Sequence, residues 1–359
     1  MNLADFDDIE LPPAARLVGL ELESGWRVLE RVERLDGQTG GSFSIGYLAS
    51  KDEDGSVAFL KALDFSKALQ EENQLEAIAK SVDAFRFEQD LLDICEKKKM
   101  TKVVRALDSG YVRVDNTQLG RVPYLLFEPA DGDIRKTIIG FDQIKVEWIF
   151  GILHEVALGL EQLHYAQVAH QDIKPSNVLT FLRDGSFKIS DLGCASRKGL
   201  GGPRDGLRVA GGWSVAPPEL TYGEKSDDWV VARVAADLYS LGSLVVFLFS
   251  GASMNAIVSS FIPEEKHALT WRGTYREVLP FVVDAYSRAF DEIAASLEGR
   301  HSDETIAIIR QLCEPDPQRR GDPRWIGQSN KQYDVRRYVS RLGSLRRRAQ
   351  YEMKTVVKK

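Results

Sequence analysis

The chain has 359 residues, 43% of them hydrophobic and 28% charged, enough apolar material for one large domain or two lobes and too much for wholesale disorder. The net charge of −6 is unevenly spread: Asp5, Asp7, Asp8 and Glu10 crowd the start, while the last thirty residues are rich in Lys and Arg. Three widely separated cysteines, Cys95, Cys194 and Cys313, exclude a disulfide framework and a zinc site and suit a reducing compartment.

Residues 1–24 read as an acidic arm with Pro12-Pro13 and no signal-peptide pattern. From Trp26 to Phe127 strand signals dominate: Arg27–Val32, Ser42–Leu48, Ser56–Leu63, Val103–Val114 and Val122–Phe127, with one long helix from Glu71 to about Lys99. After Asp131-Gly132-Asp133 the character turns helical. Trp148–Ala166 is amphipathic through Ile149, Leu153, Val156, Leu160 and Leu163, and further helices are expected over Val234–Ser250, Tyr275–Leu297 and Asp303–Cys313. The most apolar stretch, Leu238–Phe249, is shorter than the ~20 residues that span a bilayer and reads as a core helix, so no integral membrane segment and a cytoplasmic protein are expected. A strand-rich first part and a helix-rich second part imply an α+β chain of two lobes around a cleft.

Chemistry concentrates in His170-Gln171-Asp172-Ile173-Lys174-Pro175-Ser176-Asn177, followed fourteen residues after Asn177 by Asp191-Leu192-Gly193. Order and spacing resemble the HRD-x-K-x-x-N catalytic loop and DFG triplet of the eukaryotic-type protein kinase family, here with HQD (non-RD) and DLG. Ala216-Pro217-Pro218-Glu219, Asp237 to Gly242, and Asp316-Pro317-Gln318-Arg319-Arg320 are similar to three further family motifs, so the resemblance runs over roughly residues 25–325. It implies a bilobal kinase fold, with an N-lobe of about 25–128, a C-lobe of about 133–325, and a basic helical tail over 326–359.

What the resemblance implies for the site is specific. Asp172 orients the acceptor hydroxyl and takes its proton, Lys174 brings a cation to the transferring group, and Asn177 and Asp191 hold Mg2+. Val57-Ala58-Phe59-Leu60-Lys61 resembles the third family strand, whose lysine holds the ATP phosphates and pairs with a helix glutamate. Glu88 is preferred for that partner over Glu71, Glu72 and Glu76, because Phe85, Leu91 and Leu92 give it a core-facing stripe. Gly40, Gly41, Ser42 and Phe43 occupy the position of the glycine-rich phosphate loop, matching it only in part. Phe127, Glu128, Ala130 and Leu179 are expected around the adenine, with backbone groups of Glu128 and Ala130 meeting its edge.

Two departures offset each other on this alignment: Phe59 replaces a small roof residue of the adenine pocket, and Gly46 replaces a valine, vacating the volume a ring needs. The expected activity is Mg2+-dependent transfer of the ATP γ-phosphate to Ser/Thr hydroxyls of protein substrates. Gln171 in place of arginine, and a segment between Gly193 and Glu219 whose only hydroxyl side chains are Ser196 and Ser214, imply activity without activation-segment phosphorylation. A pseudokinase scaffold that binds nucleotide and a small-molecule kinase remain as alternatives. In the tail, Val335, Tyr338, Val339, Leu342, Leu345 and Ala349 recur at helical spacing among arginines, which reads as a helix packed on the C-lobe with a solvated basic face, or as a docking surface for an acidic partner or nucleic acid.

Overall fold

The computed structural model describes residues 11–32, 44–114, 120–139, 145–299 and 301–356. The chain folds as two compact units, the first ending at Ala130 and the second beginning at Asp131, except that Met100–Val103 joins the second. That exception has a simple cause: Ile189 N–H donates to Lys102 O at 2.9 Å and Val103 bridges to Ile189.

The first unit is an antiparallel sheet in the order β1-β2-β3-β5-β4, formed by β1 (Trp26–Arg31), β2 (Ser44–Lys51), β3 (Val57–Leu63), β4 (Ala106–Arg113) and β5 (Arg121–Phe127), with helix α1 (Gln74–Lys97). Alternation decides which face is core. Ile45, Tyr47 and Ala49 of β2 and Ala58, Leu60 and Ala62 of β3 are buried, so Gly46, Phe59 and Lys61 share the opposite face. Leu17 and Leu22 of the acidic arm also enter this core, and Tyr47 Oη donates to Ala14 O at 2.6 Å. Burying each leucine is worth about 1.5–3 kcal/mol. Helix α1 starts at Gln74, three residues after the position expected from composition, because the Asn73 side chain accepts from Glu76 N–H and caps it. Phe85, Glu88, Leu91, Leu92 and Cys95 form its buried stripe.

The second unit contains short strands β6 (Gly132–Asp133), β7 (Val168–Ala169), β8 (Val178–Phe181), β9 (Ser186–Ile189) and β10 (Ser196–Arg197), paired as β6-β8-β9 and β7-β10. Its helices are α2 (Ile134–Ile139), α3 (Val146–Tyr165), α4 (Pro218–Thr221), α5 (Ala235–Ser250), α6 (Met254–Ser259), α7 (Tyr275–Ser296), α8 (Ser302–Leu312), α9 (Ser329–Gln332) and α10 (Arg336–Val356). A π-helical turn, Val230–Val234, leads into α5. Together they make a 21-residue apolar helix, long enough to cross a membrane by length and composition, yet most of it lies inside the second unit's core. Arg320 is fully buried and binds Glu219 through two 2.7 Å contacts, tying the segment after α8 to α4.

The tail helix α10 packs on α3, with Tyr338, Leu342, Leu345 and Ala349 buried in the second unit's core. Close approach is possible because a Cβ at Gly343 would stand 2.9 Å from the His154 ring. Its arginines are not simply solvated: Arg346 reaches Glu155 at 3.4 Å, and Arg341 and Arg348 both pair with Glu304.

Candidate active site

In the first unit, β3 and α1 deliver two expected residues to one point. Lys61 Nζ donates to Glu88 Oε1 at 2.8 Å and Oε2 at 2.9 Å, while Glu88 is buried by the stripe of its own helix. The rival Glu76 instead pairs with Lys80 on the exposed face of α1. Phe59 lies opposite Leu48 in β2 and opposite Phe127 in β5, and its ring fills the space beside Gly46. At the end of β5, Glu128 N–H donates to Arg105 O at 3.0 Å and Pro129 has no N–H to offer. The Glu128 carbonyl and the Ala130 N–H are then the backbone groups suited to an adenine edge. Gly40, Gly41, Ser42 and Phe43 lie outside the described residues.

In the second unit, the loop between β7 and β8 is pinned from below by Asp237 of α5. That fully buried carboxylate accepts from His170 N–H at 2.8 Å and Gln171 N–H at 2.7 Å, and meets His164 Nε2 at 2.8 Å. His170 Nε2 lies 3.0 Å from Ser190 O, just before Asp191. Gln171 and Asp191 both take left-handed backbone, φ 65° and 64°, a conformation that costs non-glycine residues of order 1–3 kcal/mol and concentrates at functional sites.

Asp172 is the centre of the arrangement. Its Oδ2 accepts from Lys174 Nζ at 2.8 Å and Asn177 Nδ2 at 3.0 Å, and its Oδ1 accepts from Gly212 N–H at 2.7 Å. The approach of Gly212 depends on Gly211, where a Cβ would stand 2.3 Å from Gln171 O and 2.8 Å from Asp172 Cβ. At position 212 a backbone amide, not a side chain, holds Asp172. Sequence reasoning misses this contact; the paired glycines inside the activation segment are its only trace.

Asn177 commits its amide nitrogen to Asp172, to the backbone O at 2.9 Å as well as Oδ2, while its Oδ1, which accepts from Ser176 Oγ at 3.3 Å, is the atom that could ligate a metal. With the Asp191 carboxylate it provides two hard oxygen donors. Among the described residues there is no cluster of three or more His, Cys, Asp or Glu able to hold a metal by itself. That composition fits Mg2+, which takes one or two protein ligands and completes its shell with phosphates and water. Leu179 of β8 pairs with Asp133 and Lys188. Burial, then the Asp172 carboxylate, push the nearby Cys194 thiol up to about 12, so it remains a neutral packing group.

Comparison with known proteins places the chain in a family. Residues 37–329 match the family described as protein kinase domain. The chain is 31% identical over 179 residues to a probable serine/threonine-protein kinase of Streptomyces coelicolor, covering 46% of this chain and 24% of that one. It is 23% identical over 214 residues to a serine/threonine-protein kinase of Schizosaccharomyces pombe, covering 59% and 39%. A calcium and calcium/calmodulin-dependent serine/threonine-protein kinase of Lotus japonicus is 28% identical over 165 residues, covering 45% and 26%. The matches thus span well under half the length of these relatives. The family match covers most of the sequence, from between β1 and β2 to beyond the buried Glu219–Arg320 pair, and the chain belongs to the protein kinase domain family.

Proposed function

We propose that the protein transfers the γ-phosphate of ATP to serine or threonine hydroxyls of protein substrates. The observation that carries this reading is the Asp172 carboxylate, held at both oxygens by Lys174, Asn177 and Gly212. Phosphoryl transfer asks little covalent chemistry of a protein and much positioning and charge neutralisation. Asp172 aims the acceptor hydroxyl and receives its proton as the new O–P bond forms and the bond to the β-phosphate oxygen breaks. Lys174 offsets negative charge on the transferring group. Lys61, steadied by Glu88, takes the α- and β-phosphates. Asn177 and Asp191 would hold Mg2+, which would offset negative charge on the phosphates.

Serine/threonine preference is supported by Lys174, two residues after Asp172, and by the names of the relatives. Independence from activation-segment phosphorylation is supported by Ser196, fully buried and bonded to Asp205 at 2.8 Å, leaving Ser214 as the one exposed hydroxyl there. Three free, buried cysteines favour a cytoplasmic location. The pairing of the tail arginines with Glu155 and Glu304 weighs against that face as a dock for an acidic partner or nucleic acid.

The test is Mg2+-dependent label transfer from ATP to a generic protein substrate, with phosphoamino-acid analysis, beside Asp191→Ala. Phosphoserine or phosphothreonine that disappears in the variant supports the proposal. Nucleotide binding without turnover would make the protein a scaffold, and label confined to small acceptors would make it a small-molecule kinase.

A further inference from the structure

Gln171 deprives the catalytic loop of the cation that the family's arginine brings to this position, and the second unit supplies one from elsewhere. Arg233, in the π-helical turn before α5, donates from Nη1 to Gln171 Oε1 at 2.7 Å. Its Nη2 lies 3.1 Å from Asp205 Oδ1 in the activation segment. Gln171 Nε2 donates to Cys194 O at 2.7 Å and reaches Asp205 Oδ1 at 3.4 Å. The second carboxylate oxygen of Asp205 accepts from Ser196 Oγ, which in turn receives Trp229 Nε1 at 3.3 Å. The Asp205 and Arg233 side chains are 25% and 15% exposed, so the pair is only partly screened by water.

These contacts join four pieces of chain that are distant in sequence. Gln171 immediately precedes Asp172, Cys194 closes the turn that follows Asp191, Asp205 sits midway along the activation segment, and Arg233 is anchored to the core helix. A carboxylate bonded to a guanidinium and a hydroxyl does in this place what a phosphate does when it meets an arginine: it fixes a loop by charge-assisted hydrogen bonds.

We propose that Asp205 is a permanent counter-ion for Arg233, and that the Gln171–Arg233–Asp205 relay positions Asp172 and the Asp191 turn without any phosphate on the activation segment. This rests on the kinase reading above and names the device that makes phosphorylation unnecessary. Asp205, Arg233 and Gln171 are positioning residues, since they act through their neighbours. Ser196 gains a structural role from the same relay, because its hydroxyl donates to Asp205 and is not an acceptor for phosphate.

The experiment compares wild type, Asp205→Asn, Asp205→Glu, Arg233→Gln and the Asp205→Asn/Arg233→Gln double variant, with Asp172→Ala as the inactive reference and intact mass used to confirm unphosphorylated protein. Asp205→Asn and Arg233→Gln should each lower kcat by about tenfold or more while the KM for ATP stays within about twofold. The double variant should be no worse than either single one, and Asp205→Glu should recover most of the loss. Hydrogen exchange over residues 194–212, which needs no turnover, should rise in both single variants. Wild-type kcat in Asp205→Asn, strictly multiplicative losses in the double variant, or unchanged exchange would each overturn the relay. Wild type as inactive as Asp172→Ala would instead refute the kinase reading, and exchange would still decide the relay.

Discussion

The ring of Phe59 occupies the space that any side chain at position 46 would need. A Cβ on Gly46 would stand 2.8 Å from Phe59 Cζ and 2.9 Å from Cε2, inside van der Waals contact. The two residues are diagonal neighbours on one face of the β2–β3 pair, since Gly46 faces Lys61 and Leu48 faces Phe59. Gly46→Val should therefore push Phe59 out of its rotamer or bend the strand beside Lys61, at a cost of about 1–3 kcal/mol. The expected outcome is a rise in the ATP Kd of about tenfold, recovered when Gly46→Val is combined with Phe59→Ala. Unchanged ATP affinity in the single variant would show that the ring and the nucleotide do not share this wall.

Gly211→Ala should act on rate and spare ATP binding. The added Cβ meets Gln171 O and Asp172 Cβ, so the segment must retreat and carry Gly212 N–H away from Asp172 Oδ1. A displacement of about 1 Å in a positioned catalytic group costs on the order of 10²-fold. Steady-state kinetics should show that loss in kcat with the KM for ATP unchanged; a variant as fast as wild type contradicts the role given to the Gly212 amide.

Glu219→Ala should unfold the second unit more readily. It strands Arg320, which is fully buried and is left with backbone carbonyls of Glu314, Ala235 and Pro315 and the face of the Tyr239 ring. Removing one member of a buried pair costs about 3–5 kcal/mol, which urea titration resolves easily. A change below about 1 kcal/mol would place the pair among those that contribute almost nothing.

The docking of α10 should weaken in acid. His154 lies half-buried with Nδ1 3.1 Å from Val339 O, and burial, with Arg346 and Arg347 nearby, lowers its pKa below the ordinary 6.5. Between that lowered value and 6.5 the unfolded chain binds a proton that the folded chain does not, so stability falls as pH drops through this window. Urea midpoints at about pH 8 and about pH 5.5 should differ more in wild type than in His154→Gln, which keeps a donor for Val339 O and has nothing to titrate. Equal differences would rule out His154 as the titrating group.

How far the sequence can be read follows from where each signal lies. Period-two alternation in Ser44–Lys51 and Val57–Leu63 and the spaced apolar residues of α3 and α10 are local, so the strands and long helices are visible within a few residues of their observed ends. The Lys61–Glu88 pair is reachable because a buried stripe of α1 singles out one glutamate among four. Leu17 and Leu22 are easily missed, since acidic neighbours make the first residues read as an exposed arm. Asp205 and Arg233 are hidden for another reason: they are 28 positions apart with no shared periodicity, and Asp205 lies in a stretch whose glycines suggest only a loop. Similarly, nothing short of the fold brings Arg346 to Glu155, 191 residues earlier.

The proposed chemistry stands or falls with Asp172, which is gripped at both carboxylate oxygens and, in that proposal, aims the hydroxyl that receives the phosphoryl group. The decisive comparison is the single-turnover rate of phosphate transfer to a serine-containing peptide by unphosphorylated wild type and by Asp172→Asn, with ATP and Mg2+ saturating. Wild type should transfer phosphate at a measurable rate, and the variant should lose about 10²–10⁴-fold with ATP still bound. Equal rates in the two proteins would mean that another group aims the acceptor.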